Sequence, residues 1–281
     1  MLTMDAVELS YDVYETFDSH ADLPPIILIH GMFWNKYMFK ELAEKLCSGT
    51  KRRVYCLDMR NHGESPVCED CGMFEMCEDV KRFIKEKDLQ KITFVCHSFS
   101  TTICYLIALE KPEIVEKLVM VDSFPFNKFF DDINDSIKEV QIQNHALKIL
   151  NPKMSLRDAR EKLEKLAEKE TRTRKLFFRK MIHDLQKEDG QFKWKTDIDF
   201  LQRKILKEKT FLVYPRGSCE HEILIVRCSN SVNVTDERFE KVRKFNPNTK
   251  LVTFEDTTHM LLLEKIEEFV EVVSDFLGVT K

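Results

Sequence analysis

Short apolar, β-branched runs alternate with stretches of helical period along most of this chain, and no other feature constrains the fold so tightly. The runs are "IILIHG" (Ile26 to Gly31), "RRVYCLDMR" (Arg52 to Arg60), Ile92 to Cys96, "EKLVMVDSF" (Glu116 to Phe124), "HEILIVRCSN" (His221 to Asn230) and "TKLVTFED" (Thr249 to Asp256). Between or after them lie "KYMFKELAEKL", a helix around Cys77 to Lys87, a helix-compatible run from Thr101 to Leu109, and the closing "EKIEEFVEVVSDFLG". Strands joined by helices pair in parallel, and a parallel sheet is buried on both faces, which is why its strands read as continuous apolar text. The expected fold is therefore α/β, a mainly parallel sheet with helices on both faces. "VELSYDVYET" (Val7 to Thr16) alternates with period two and predicts opening antiparallel strands.

The alternation stops at Phe126 and resumes after Thr210. The text between is charged, helical and poor in strands. Ser155, with Asp158 three residues on, is placed as a helix N-cap, and Leu156, Ala159, Leu163 and Leu166 form one apolar stripe behind it. Asp189-Gly190 predicts a tight turn ahead of "QFKW". The organisation expected is a sheet domain built from residues 1–125 and 211–281, interrupted by a helical insertion at 126–210.

Bulk composition narrows the function classes. A hydrophobic fraction of 43% over 281 residues fills a sizeable core. The 44 basic residues are interleaved with 48 acidic ones for a net charge of −4, so no basic field invites nucleic acid. No apolar run reaches the roughly 18 residues of a membrane span. Nine scattered cysteines and an acidic, strand-like start without a charged-then-apolar leader predict a reducing, cytoplasmic setting. Cys68-x-x-Cys71 lacks the second pair that a zinc site wants, so neither metal nor cofactor is expected.

The chemistry gathers where the strand Ile92 to Cys96 gives way at once to a helix, in "VCHSFSTT". A serine at so sharp a turn, Ser98, has its hydroxyl held clear of the sheet, with a helix N-terminus behind it to favour developing negative charge. The known signature for that device is G-x-S-x-G; here it reads Cys96-His97-Ser98-Phe99-Ser100, with both glycines replaced by small side chains. An ordinary helix N-cap is the bland alternative for Ser98. Phe177, Phe178 and Met181 in the insertion are candidates to line an acyl pocket, or simply to pack it.

Further motifs agree with the catalytic reading. "LIHGMFWNKYMF" follows the second strand run, "LDMRNHGESP" the third, and "THM" (Thr258 to Met260) the last. In order and spacing these resemble the α/β-hydrolase family from about Leu23 to Gly278. "RNHGESP", "ALEKPEIVEKLVMVDSFP" and "DGQFKW" resemble most the α/β-hydrolase domain-containing protein 11 group and related small bacterial esterases. That resemblance implies the α/β-hydrolase fold, an eight-stranded sheet with a helical cap inserted after the sixth strand. It implies Ser98 as nucleophile and His259 as base, with backbone N–H groups of Met32 and Phe99 as oxyanion donors and Gly31 where the backbone comes close. His97 is an accessory residue beside the nucleophile. The family commonly carries its acid in the loop after the seventh strand, but here that loop, "RCSNSVNV", holds no carboxylate. Asp122, ending the sixth strand, and Asp199, within "KTDIDFL", are the two substitutes, although Thr196-x-x-Asp199 also looks like a helix capping box. Ser231 is a candidate hydrogen-bond partner for His259.

Two functions of different class follow. The first is a serine hydrolase of carboxylic ester, thioester or lipid acyl bonds, needing no cofactor. Epoxide and haloalkane hydrolysis is disfavoured because those enzymes place aspartate at the elbow, whereas carbon–carbon hydrolysis and cofactor-free peroxidation keep serine and stay open. The second is a catalytically impaired relative that binds a small ligand or a partner protein. The resemblance also brings in mitochondria as an alternative to the cytoplasm.

Overall fold

The computed structural model describes residues 5–20, 22–125, 133–171, 175–176, 178, 181–204, 213 and 215–279. Among the described residues nine strands form: β1 (Tyr11–Tyr14), β2 (Ile26–Ile29), β3 (Val54–Leu57), β4 (Ile92–His97), β5 (Val115–Val121), β6 (Leu185–Glu188), β7 (Gln191–Trp194), β8 (Glu222–Cys228) and β9 (Thr249–Phe254). Seven of them make one sheet in the order β1-β3-β2-β4-β5-β8-β9. Only β1 is antiparallel, against β3; every other pair is parallel. Every residue of β2, β3 and β4 is buried. Successive side chains point to opposite faces, so both faces are covered.

Helices supply that cover. α1 (Lys40–Thr50) packs against the closing helix Ile266–Phe276, and α2 (Met73–Glu86) packs against α3 (Ser100–Glu110). The fold class and the mainly parallel sheet are as expected. The strand count differs: seven strands pair in the main sheet among the described residues, not eight. The shortfall lies in Val7–Thr16, where one strand forms instead of several. The backbone N–H groups ahead of β1 are taken by side chains, Val7 by Asp79 Oδ1 at 2.7 Å and Ser10 by Ser65 Oγ at 2.8 Å. Period-two text does not pair as a strand where its donors are already taken by side chains from elsewhere in the fold.

The segment expected as an insertion lies between β5 and β8, which are direct neighbours in the sheet. It contains α4 (Ile133–Lys148), α5 (Leu156–Ala167), the β6–β7 hairpin and α6 (Ile198–Arg203). Ser155 caps α5 through Asp158 N as expected, and Ala159 and Leu163 bury the stripe. The hairpin turns on Asp189 and Gly190, both at positive φ (50° and 77°), the geometry of a two-residue hairpin. One local expectation is corrected. The N-cap of α6 is Asp197, which accepts from Phe200 N at 2.9 Å, not Thr196. Thr196 is buried and bonded elsewhere, its N–H to Asp184 Oδ2 and its hydroxyl to Gly63 N.

Those last bonds fasten the insertion to the core. Asp184, from the insertion, also accepts from Asn35 Nδ2 at 2.8 Å, while Lys195 reaches Glu64 at 2.7 Å. α7 (Asp236–Phe245), α8 (Leu261–Glu264) and α9 (Ile266–Phe276) complete the chain. Among the described residues no helix is long and apolar enough to cross a membrane.

Candidate active site

β4 ends at His97, and Ser98 then takes φ 59°, the left-handed region that a non-glycine residue avoids. Such a turn persists only where its surroundings hold it. Ser98 N donates to Val121 O at 3.1 Å, and Ser98 O accepts from Thr101 N and Thr101 Oγ1 at 3.1 and 2.8 Å. The two positions where the signature carries glycine hold Cys96 and Ser100. Cys96 is fully buried with Sγ 3.3 Å from Val119 O. Ser100 Oγ accepts from His97 N at 3.0 Å and lies 3.0 Å from Ile29 O, tying the elbow to β2. Ser98 itself is half-buried.

Gly31 is where close approach is needed. A Cβ there would sit 2.6 Å from His97 Nδ1 and 3.4 Å from Ser98 Cβ. The His97 ring fills that space, tilted against Trp34 on one side (centroids 4.6 Å apart) and His259 on the other (4.4 Å). His97 Nε2 donates to the backbone O of His259 at 2.9 Å, so Nε2 carries the proton, and the buried Nδ1 has no hydrogen-bond partner among the described residues. Burial, followed by the neighbouring His259, holds this imidazole well below its ordinary pKa, hence neutral.

His259 follows β9 in a loop fixed by Glu264, which accepts from both Thr258 N and Thr258 Oγ1 at 2.8 and 2.9 Å. Its Nδ1 lies 2.7 Å from Asp122 Oδ2. Asp122 sits one residue past β5, at φ 47° and with no exposed surface. Its Oδ1 accepts from Cys228 N at 3.3 Å and its Oδ2 also accepts from Asn233 Nδ2 at 3.2 Å. These donors replace the water that a buried carboxylate forfeits. With Nδ1–H donating to Asp122, the lone pair of His259 is left on Nε2, the tautomer a general base requires.

The remaining sequence candidates are placed as follows. Asp199 lies on α6, where it accepts from Asn144 Nδ2 at 3.3 Å on the exposed side of the insertion, and it is not among the groups joined to His259. Ser231 Oγ accepts from Asn233 N at 3.3 Å, and Asn233 rather than Ser231 reaches the histidine, at 3.1 Å from its Nδ1. Sequence reasoning passed over Asn233; its signal was its place in the loop where a carboxylate was sought. Phe178 and Met181 are buried, while Phe177 lies outside the described residues.

Met32 occupies the turn after β2, which Trp34 N closes on Gly31 O at 3.2 Å, and Phe99 directly precedes α3. Two buried histidines brace that turn. His30 Nε2 accepts from Met59 N at 3.0 Å, so its Nδ1–H donates to Gly31 O at 2.7 Å. His62 Nε2 accepts from Phe33 N at 3.3 Å, so its Nδ1–H donates to Arg60 O at 2.9 Å. Burial pushes His30 down to about 4 and His62 down to about 3, so both are neutral. Each can thus accept one backbone N–H and donate to one carbonyl. Arg60 is anchored in turn by two 2.6 Å bonds to Asp79.

The His259 imidazole and the buried Asp122 carboxylate are in direct contact, and the loop bearing His259 is joined to the elbow through His97, the neighbour of Ser98. Two relatives described as sn-1-specific diacylglycerol lipase ABHD11 are similar over nearly the whole chain. The Mus musculus protein is 28% identical, covering 94% of this chain and 84% of that one, and the Danio rerio protein is 26% identical, covering 99% and 84%. The solved structure of a marine microorganism esterase superposes with a TM-score of 0.78 at 22% identity, covering 96% of this chain and all of that one. Residues 24–266 match the family described as alpha/beta hydrolase fold, and the chain belongs to that family.

Proposed function

We propose that this protein is a serine hydrolase acting on carboxylic ester, thioester or lipid acyl bonds. The observation that carries the proposal is the 2.7 Å contact between His259 Nδ1 and the buried Asp122, in a loop that also holds His97, the neighbour of an elbow serine at φ 59°. Ser98 Oγ attacks the acyl carbonyl while His259 Nε2 takes its proton, and Asp122 stabilises the imidazolium that forms. The oxyanion is met by N–H groups of Met32 and Phe99, whose loss elsewhere costs about 3–4 kcal/mol each. His259 returns the proton to the leaving oxygen or sulfur, and water, activated by the same imidazole, releases the acid. The lipase named among the relatives favours a glyceride-like acyl ester within this class.

Hydrolysis of p-nitrophenyl esters of increasing acyl length tests the proposal. Turnover is expected in the wild-type protein, with Ser98→Ala and His259→Ala reduced to background. A folded wild-type protein inert towards esters and thioesters of every length would leave the binding role instead, with no bond cleavage.

A further inference from the structure

Asn233, Asp122 and His259 form a closed triangle. His259 Nδ1 to Asp122 Oδ2 is 2.7 Å, Asn233 Nδ2 to the same oxygen is 3.2 Å, and Asn233 Nδ2 to His259 Nδ1 is 3.1 Å. The two nitrogens cannot bond each other while both donate to the carboxylate; each N–H therefore points at Oδ2. The amide orientation follows from that oxygen, because turning the amide over would set Oδ1 against a carboxylate oxygen. Asn233 reaches the site from the loop after β8, while Asp122 reaches it from the end of β5, so the imidazole is approached from two neighbouring strands. The backbone of Asn233 is itself held, its N–H by Ser231 Oγ at 3.3 Å and its C=O by Arg238 Nη1 at 3.0 Å.

We infer that Asn233 is a positioning residue of the hydrolytic site. It fixes the Asp122 carboxylate on the His259 N–H, and its own position is one from which a carboxylate could do the same work. Aspartate is the isostere of asparagine, so in Asn233→Asp a carboxylate oxygen would replace the amide nitrogen that now lies 3.1 Å from His259 Nδ1, within hydrogen-bond reach. Exchanging the pair, Asp122→Asn with Asn233→Asp, keeps the net charge and the number of donors and acceptors. The amide at 122 would donate where the carboxylate now accepts, its Oδ1 would still receive Cys228 N, and the carboxylate would stand one strand over. In the unexchanged protein the amide N–H and the imidazole N–H share the one carboxylate oxygen.

This inference rests on the proposed hydrolase reading and is tested by ester kinetics across pH on four proteins: wild type, Asp122→Asn, Asn233→Asp and the double exchange. Asp122→Asn is expected to lower kcat/KM by about 10³-fold or more. The double exchange is expected to recover at least about tenfold of that loss. Asn233→Asp alone, with two carboxylates facing one imidazole, is expected to move the acidic limb of kcat/KM upward by about half a pH unit or more. A merely structural residue would move neither the limb nor the rescue. Circular dichroism and thermal melts establish that each variant is folded; should the double exchange not fold, the limb shift in Asn233→Asp decides alone. If wild type is active, and folded variants show neither rescue nor limb shift, Asn233 does not address His259 and the inference fails. If wild type itself is inert, it is the hydrolase reading that fails.

Discussion

Acidification should destabilise this protein well above the pH at which ordinary carboxylates titrate, because His30 and His62 are buried as neutral rings. Their folded pKa values, about 4 and about 3, lie below the ordinary 6.5. Below pH 6.5 the unfolded chain binds protons that the folded chain refuses, so stability falls as pH falls, and it stops falling only beneath the folded values. At pH 5, relative to pH 8, each ring forfeits about 2 kcal/mol, or about 4 kcal/mol together. Asp184 acts in the opposite sense. Burial raises its carboxyl to about 6, so the folded chain binds that proton first and regains about 1 kcal/mol over the same interval. The net loss from these three groups is about 3 kcal/mol, a large fraction of a typical 5–15 kcal/mol. The coupling reaches the site, since a protonated His62 cannot accept Phe33 N and the turn bearing Met32 loses a brace. Urea titrations every half unit from pH 8 to 5 measure it. His62→Gln should remove about 1.4 kcal/mol per pH unit from the slope below pH 6. A stability that is flat across the interval, or a slope unchanged in His62→Gln, would refute the assignment of neutral rings.

Gly31→Ala sets a Cβ at 2.6 Å from His97 Nδ1, so the ring must retreat by most of an ångström; kcat/KM is expected to fall about 10²-fold, with about 1–3 kcal/mol of stability lost in chemical denaturation. Asp122→Asn is expected to reduce ester turnover by about 10³–10⁴-fold while Asp199→Asn leaves it within about twofold, a contrast that steady-state kinetics reads directly. Arg60→Met strands the fully buried Asp79 carboxylate and should cost about 3–5 kcal/mol, most of it recovered in Arg60→Met with Asp79→Leu, as thermal melts would show.

The sheet was legible because its strands are covered on both faces, which leaves continuous apolar runs such as Ile26–Ile29 and Ile92–His97 in the text. The opening segment misled because its alternation says nothing of who takes its N–H groups, and Asp79 and Ser65 take two of them from far along the chain. The hairpin at Asp189-Gly190 was readable from two residues, since few others adopt positive φ in succession. Thr196 misled in the opposite way. A capping pattern is local, but Asp184 and Gly63 claim that threonine through tertiary bonds. At the site, Ser98 and Gly31 were visible through backbone constraint. Asp122 and Asp199 were both open as the acid, because sequence distance does not report which carboxylate the sheet delivers to a loop after β9. Asn233 and the bracing histidines escaped notice for the same reason, being 26 and 29 residues from the groups they hold.

The central claim is that the hydroxyl of Ser98 is made nucleophilic by His259. Intact-mass spectrometry after incubation with a fluorophosphonate measures it, with peptide mapping to locate the adduct. One phosphonyl group on Ser98 is predicted, abolished by Ser98→Ala and greatly slowed by His259→Ala. Folded protein that gains no mass, or gains it at another residue with Ser98 unmodified, would contradict the account.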